Sequence, residues 1–304
     1  MKIATTTCDF AHYFTEDIDR VKEVHDAGFN YVDLDMYSFT PDSPYMKDDW
    51  KDAVKKLKDY ADSIGVKFVQ AHSQGGNPMS KDKDEADFIV KATIRSIEIC
   101  KELGIKNTVA HPGSGMGLLK DDWFIENRKF YSKLFPAMED CDVNVLIENS
   151  TSFITKKYYY ANTGKDMAEF LKFVGHEKLH ACWDTGHGNC EGGQYDQILE
   201  LGKEIYAIHY NDNHGEKDEH LIPYLGTLNH DEIINALLDI GYKGYFTLEC
   251  SSTLIKNEFW LGDRRVFEKE KRLIHPQPFM QRRISQLSYE IAKYILETYG
   301  LFEE

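Results

Sequence analysis

Phe68-Val-Gln-Ala-His72, Thr108-Val-Ala-His111, Val145-Leu-Ile-Glu148, Ala181-Cys-Trp-Asp184, Tyr206-Ala-Ile-His209 and Phe246-Thr-Leu-Glu249 are six short apolar runs, each closed by a carboxylate or an imidazole. Their ends recur at intervals of roughly 25 to 40 residues, about the length of one strand, one helix and two loops. A residue of ligand type at the same place in every unit predicts one shared site at one mouth of a parallel barrel. Taken singly, each such residue reads as a chain returning to solvent. Six matched ends are a poor fit to that reading.

Strand-like and helix-like segments alternate along the rest of the chain. Strands are expected at Lys2 to Thr6, Tyr31 to Met36, Lys67 to His72, Asn107 to His111, Val143 to Glu148, His180 to Asp184, Ile205 to Asn211 and Tyr245 to Cys250. Between them, Trp50, Val54, Leu57, Ala61 and Ile64 trace one helical face that stops at Gly65. Asn229, with Glu232 three residues on, opens another helix through a capping box. Eight such repeats predict an α/β fold, a (β/α)8 TIM barrel in a single domain spanning 1–304. A doubly wound open sheet would need a Gly-rich turn after its first strand, and Thr5-Thr-Thr-Cys-Asp9 is not one. An extended loop is expected at about 251–277, near the mouth, and a C-terminal helix at about 281–299.

Composition narrows the partners. The 304 residues carry a net charge of -15 and are 42% hydrophobic. An acidic surface repels phosphate backbones and anionic lipid, so neither nucleic acid nor membrane is the expected partner. The six cysteines show no CxxC pair and read as reduced thiols of a cytoplasmic protein. No apolar run reaches the ~20 residues of a membrane span, and the segment from Met1 to Thr6 carries no signal-peptide core.

Strand ends of a barrel converge on one mouth, so Glu148, Asp184, His209 and Glu249 would meet there as three carboxylates and one imidazole. That donor set suits one divalent metal, Mn²⁺, Co²⁺, Zn²⁺ or Mg²⁺, and the flanking ligand-type residues leave room for more than one ion. Without a cation, three clustered carboxylates resist joint ionisation. Asp184-Thr-Gly-His187 sets an imidazole one turn beyond the carboxylate, and Asp218-Glu-His220 follows the seventh strand. Asn149, Asp212 and Asp218 read equally well as turn and cap formers. Phe10, Tyr13, Trp183 and Trp260 are candidate pocket aromatics.

The combination Glu148-Asn149, Cys182-Trp-Asp-Thr-Gly-His187, His209-Tyr-Asn-Asp-Asn213, Asp218-Glu-His220 with Gly226, and Leu248-Glu249 resembles the xylose-isomerase-like TIM barrels. Within them it is most similar to the sugar phosphate isomerase/epimerase group. The resemblance implies that Glu148, Asp184, His209 and Glu249 ligate one divalent metal. It implies further that Glu148 and Glu249 move a proton through a metal-bound enediolate and that His187 contacts substrate. The implied partner is a small carbohydrate, and the implied state a homo-oligomer, dimer or tetramer.

Two departures widen the reading. Epimerases of that group carry an arginine soon after the seventh-strand histidine, and Asn211-Asp-Asn-His-Gly-Glu-Lys217 has none. His72, His111, His187, Asp218 and His220 also join the four core residues to make a set of nine, as substrate-binding groups or a second metal site. That fuller set resembles the apurinic-site endonucleases of the same superfamily, which carry three zinc ions. The alternatives to an isomerase are therefore a metal-dependent lyase or dehydratase acting on an inosose or 3-keto-glycoside, and an endonuclease IV-like nuclease. The charge of -15 opposes the nuclease.

Overall fold

In the computed structural model, the described residues are 1–115, 117–155, 158–254, 268–270, 272–273 and 275–304. Among these residues, eight strands occur where eight were expected: β1 Ile3–Thr6, β2 Tyr31–Asp35, β3 Lys67–His72, β4 Asn107–Val109, β5 Asn144–Glu148, β6 Leu179–Asp184, β7 Ile205–His209 and β8 Phe246–Leu248. All adjacent pairs are parallel, in the order β7-β6-β5-β4-β3-β2-β1-β8. The ring closes between β7 and β8, where Tyr210 N donates to Thr247 O at 2.7 Å and Glu249 N to Tyr210 O at 3.2 Å.

The helices are α1 Asp17–Asp26, α2 Trp50–Ile64, α3 Lys83–Leu103, α4 Lys120–Cys141, α5 Ser152–Thr155, α6 Gly164–Val174, α7 Thr185–Glu191, α8 Gln194–Leu201, α9 His230–Asp239 and α10 Pro278–Thr298. Sequence decides them locally. In α2, Trp50, Val54, Leu57 and Ala61 are buried, and Gly65 ends the helix in the left-handed region at φ 79°. In α9 the Asn229 side chain accepts from Glu232 N, so the expected cap forms. α10 begins three residues before its expected start, because Pro278 suits the first helical position, where no amide hydrogen is needed.

β4, β7 and β8 are shorter than expected. At β7 the cause is specific: Asn211 N turns to Thr185 Oγ1 at 3.1 Å and leaves the ladder. The loop expected at 251–277 falls largely outside the described residues, since 255–267, 271 and 274 are not among them. Among the described residues, no helix is long and apolar enough to cross a membrane. All six cysteines are free.

α10 anchors the C-terminal segment back onto the first repeat. Arg282 makes a two-pronged ion pair with Glu23 of α1 at 2.6 and 2.8 Å, and Tyr289 meets Phe29 edge-on at 5.1 Å. The main apolar core fills the space between strands and helices.

Candidate metal centre

Along a strand, side chains two residues apart share a face. Leu146, Cys182 and Ala207, with Val109, form a separate apolar cluster. Two residues on from these stand Glu148, Asp184, His209 and His111, the next layer toward the mouth at the strand C-terminal ends. Glu249 follows the last residue of β8. The period-2 rule thus turns four apolar runs into a shared polar layer.

One ligand atom from each of Glu148, Asp184, His209 and Glu249 lies within 4.8 Å of the other three. His209 Nδ1 is 2.6 Å from Glu148 Oε1 and 3.3 Å from Glu249 Oε2. Two further groups border this one. His72 and His111 abut Glu148, with His72 Nε2 3.1 Å from His111 Nε2 and each 3.4 to 3.6 Å from Glu148 Oε2. His187 and His220 converge on Asp218 Oδ2 at 3.1 and 3.0 Å, and His187 Nδ1 reaches Asp184 Oδ1 at 3.5 Å. All nine residues expected from sequence therefore lie in one assembly.

Neighbouring groups aim these side chains. His72 Nδ1 lies 3.0 Å from Ser73 O, and His220 Nδ1 lies 3.0 Å from Glu249 O. Each ring can donate there, which turns its Nε2 toward the cluster. Asp184 caps α7, its Oδ1 accepting from His187 N at 2.7 Å. Asn211 Nδ2 donates to Asp184 Oδ2 at 2.7 Å, and Asn149 clamps the Asp184 backbone with bonds of 2.6 and 2.9 Å. Gly186 makes the Asn211 contact feasible, since a Cβ there would sit 1.9 Å from Asn211 Oδ1. Asp212 plays the structural part, accepting from the amides of Asn213, Gly226 and Leu228.

The electrostatics are those of concentrated buried charge. Burial pushes Asp184 up to about 6, with Glu148 and Glu249 adding to the push against His187. Burial also works against a charged Glu148, but His209, His72 and His111 hold it well below the usual carboxylate range. His187 rises to about 10: burial opposes its charge, while Asp184 and Asp218 outweigh it. His111 goes the other way, down to about 3, through burial. Cys182 also faces Glu148 and His209. Burial pushes its thiol up to about 12, and a thiol ligates poorly until it ionises.

The donor set fits a divalent cation on two structural grounds. Three carboxylate oxygens and an imidazole nitrogen converge without a Lys or Arg among these residues, and oxygen and nitrogen donors suit hard to borderline ions. Asp218 Oδ1 and His187 Nδ1 are moreover buried with no hydrogen-bond partner, open valences at the border of the cluster.

Several side chains of the centre escape the sequence reading. Asp33 and Gln70 lie inside the barrel beneath His209, and Asn211 braces Asp184. Tyr37, packed against Gly75, stands edge-on to His72 at 5.2 Å and to His111 at 6.2 Å. A charged residue in the middle of Tyr31-Val-Asp-Leu-Asp35 was the available signal for Asp33. Of the aromatics proposed from sequence, Phe10 and Trp183 are fully buried core, the Trp183 indole donating to Gln194 Oε1 at 3.0 Å. Tyr13 packs against the same core. Trp260 lies outside the described residues.

The family model described as a xylose isomerase-like TIM barrel matches residues 21–270. The chain belongs to the xylose isomerase-like TIM barrel family. A fructoselysine 3-epimerase of Escherichia coli O157:H7 is 33% identical over 144 residues, 47% of this chain and 51% of that protein. A probable endonuclease 4 of Aquifex aeolicus is 23% identical over 223 residues, 68% of this chain and 70% of its own length. Among solved structures, a D-tagatose 3-epimerase-like protein superposes with a TM-score of 0.74 at 21% identity, covering 99% of this chain and 98% of the other. The IOLI protein with a bound zinc atom gives 0.72 at 16% identity, covering 100% of both chains. At these identities the two structures share the barrel with this member of the family.

Proposed function

We propose that the chain is a divalent-metal-dependent sugar isomerase or epimerase that relocates a proton beside a carbonyl. The observation that carries this reading is the position of two glutamates, Glu148 and Glu249, on one imidazole nitrogen, His209 Nδ1, at the barrel mouth. Glu148, Asp184, His209 and Glu249 would hold the ion. A bound divalent cation supplies Lewis acidity toward a sugar carbonyl and its neighbouring hydroxyl.

The chain's own groups then carry the proton. Glu148 is 1% exposed and held ionised by the imidazoles around it, the state in which a carboxylate accepts a proton. Glu249, at a strand end nearer solvent, returns one to the other face or to the neighbouring carbon. Return to the opposite face inverts the centre, and return to the neighbouring carbon, with the hydroxyl proton passing from one oxygen to the other, moves the carbonyl. General acid-base catalysis of this kind contributes about 10²- to 10⁴-fold, or ~3 to 5 kcal/mol. Tyr37 and His187 border the space where substrate would lie. The similarity to a fructoselysine 3-epimerase supports the sugar class.

A second reading draws on the two bordering groups. His72, His111 and Glu148, and His187, Asp218 and His220, each bring three ligand atoms within 4.8 Å. Occupation of both would give a multi-ion centre, and the similarity to a probable endonuclease 4 keeps a nuclease in view. The charge of -15 favours a small sugar over a duplex. The same two carboxylates would also serve an elimination on an inosose or a 3-keto-glycoside. A parallel assay of epimerisation, dehydration and abasic-site cleavage by the metal-loaded protein separates the readings, and turnover of only the abasic site would overturn the first.

A further inference from the structure

The side of His209 that faces away from the carboxylates is as built as the side that faces them. Its Nε2 lies 3.2 Å from Asp33 Oδ2 and 2.7 Å from Gln70 Nε2. Gln70 Nε2 also donates to Asp33 Oδ2 at 2.7 Å, and Thr247 Oγ1 donates to Gln70 Oε1 at 3.4 Å. Asp33, Gln70, His209 and Thr247 come from β2, β3, β7 and β8, so their side chains meet across the barrel interior. Asp33 is fully buried, it pairs with His209, and its Oδ1 has no hydrogen-bond partner. A carboxylate buried in this way needs partners that compensate it.

A neutral imidazole holds one proton, and only the other nitrogen can ligate a metal. Nδ1 is the nitrogen that faces Glu148 and Glu249. For it to bind a cation, the proton must sit on Nε2 and find an acceptor. Asp33 Oδ2 is that acceptor. Gln70 opposes it, because its amide hydrogen directed at Nε2 demands a lone pair there and so keeps the proton on Nδ1. Reversing the Gln70 amide does not resolve the conflict, since it would set Oε1 2.7 Å from Asp33 Oδ2, acceptor against acceptor.

We propose that Asp33 and Gln70 form a tautomer selector beneath the metal centre. Asp33 is the positioning residue that draws the ring proton to Nε2 and frees Nδ1 to ligate. Gln70 stabilises the metal-free tautomer. The inference rests on the metal-centre reading of the proposed function, and it predicts effects of opposite sign at two adjacent buried positions. Packing alone would not produce that pattern.

The test measures Mn²⁺ and Zn²⁺ affinity by chelator competition for the full chain, Asp33→Leu and Gln70→Met, with apo thermal unfolding in parallel. Nitrogen-15 spectra of histidine-labelled protein report the His209 tautomer. Loss of an orienting partner of a ligating histidine lowers metal affinity about 10- to 100-fold. The expected result is a loss of that size in Asp33→Leu and a gain in Gln70→Met. His209 should shift toward the Nδ1–H form in the first variant and toward Nε2–H in the second. Asp33→Asn, which keeps a neutral acceptor, should fall between wild type and Asp33→Leu. Tight binding by wild type with unchanged affinity in Asp33→Leu, or losses of the same sign in both variants, would overturn the selector alone. A wild-type chain that binds neither ion would overturn the metal centre, and the selector with it.

Discussion

His209 Nδ1 lies 2.6 Å from Glu148 Oε1 across a separation of 61 residues. Both side chains are almost completely buried. The contact joins the ends of two strands that both flank β6, so the inward curve of the sheet across that strand brings them together.

Glu148→Gln and Glu249→Gln should each lower turnover by about 10³-fold or more, the share assigned to general acid-base catalysis plus a weakened ion site. Circular dichroism should stay close to wild type, because the amide keeps the shape of the side chain, while the unfolding midpoint of Glu148→Gln should fall, because His209 loses the buried carboxylate paired with it. Near-normal turnover of the true substrate by either variant would end the two-carboxylate proposal.

Gly186→Ala should disturb the brace on Asp184. The new Cβ would meet Asn211 Oδ1 at 1.9 Å, a distance real Cβ atoms do not adopt, so Asn211 must withdraw. The expected cost is about 1 to 3 kcal/mol in stability, read as a lowered melting temperature, with weaker ion binding. Asn211→Ala should weaken ion binding while costing less stability. If Asn211→Ala binds metal as wild type does, Asp184 is held by its other contacts.

Asp9 gives the clearest pH dependence outside the ligands. Burial pushes its carboxyl up to about 7, against the hydrogen bond from Thr5. The folded chain therefore binds a proton that the unfolded chain, with a normal value of 3.8, releases. Below pH 4 the group is neutral in both states and carries no penalty. As pH rises from 4 through 7 this contribution to stability is lost, and above 7 the full cost stands, on the order of 4 kcal/mol. Asp9→Asn should raise the melting temperature at pH 8 relative to wild type and leave it nearly unchanged at pH 4. An equal shift at both values would show that ionisation is not the cause.

Ion removal should lower stability by mass action. At a free ion concentration a hundred times the dissociation constant, binding adds about 2.7 kcal/mol, and a chelator should take that away. Metal analysis of the loaded protein should return one ion per chain if only Glu148, Asp184, His209 and Glu249 are filled. Two or three ions, lost in part on His111→Ala or His220→Ala, would favour the multi-ion reading.

Much of this was legible in the sequence because two periodicities coincide. A strand ending on a ligand residue says where that residue points, and the barrel repeat says where the strand ends meet. Glu148, Asp184 and His209 are therefore readable, since Leu146, Cys182 and Ala207 two residues earlier fix their face. What was not legible depends on contacts across the barrel. Nothing local in Phe68-Val-Gln-Ala-His72 says that Gln70 will meet Asp33 and His209. Asn211 was read as part of a strand, but its backbone amide donates to Thr185 Oγ1, which ends β7 early, and its side chain bonds Asp184. Trp183 was misjudged because its neighbour Asp184 faces the barrel interior, so Trp183 itself faces the helices.

The central claim is that this centre moves a proton beside a sugar carbonyl. Its most direct test is deuterium exchange from D₂O, followed by NMR, into a panel of ketoses, inososes and 3-keto-glycosides with Mn²⁺ or Co²⁺ present. The account predicts incorporation at a carbon next to the carbonyl of at least one member, abolished by a chelator and by Glu148→Gln. Protein that is shown to hold its ion and yet exchanges no deuterium into any member, while it cleaves abasic DNA, would contradict the account.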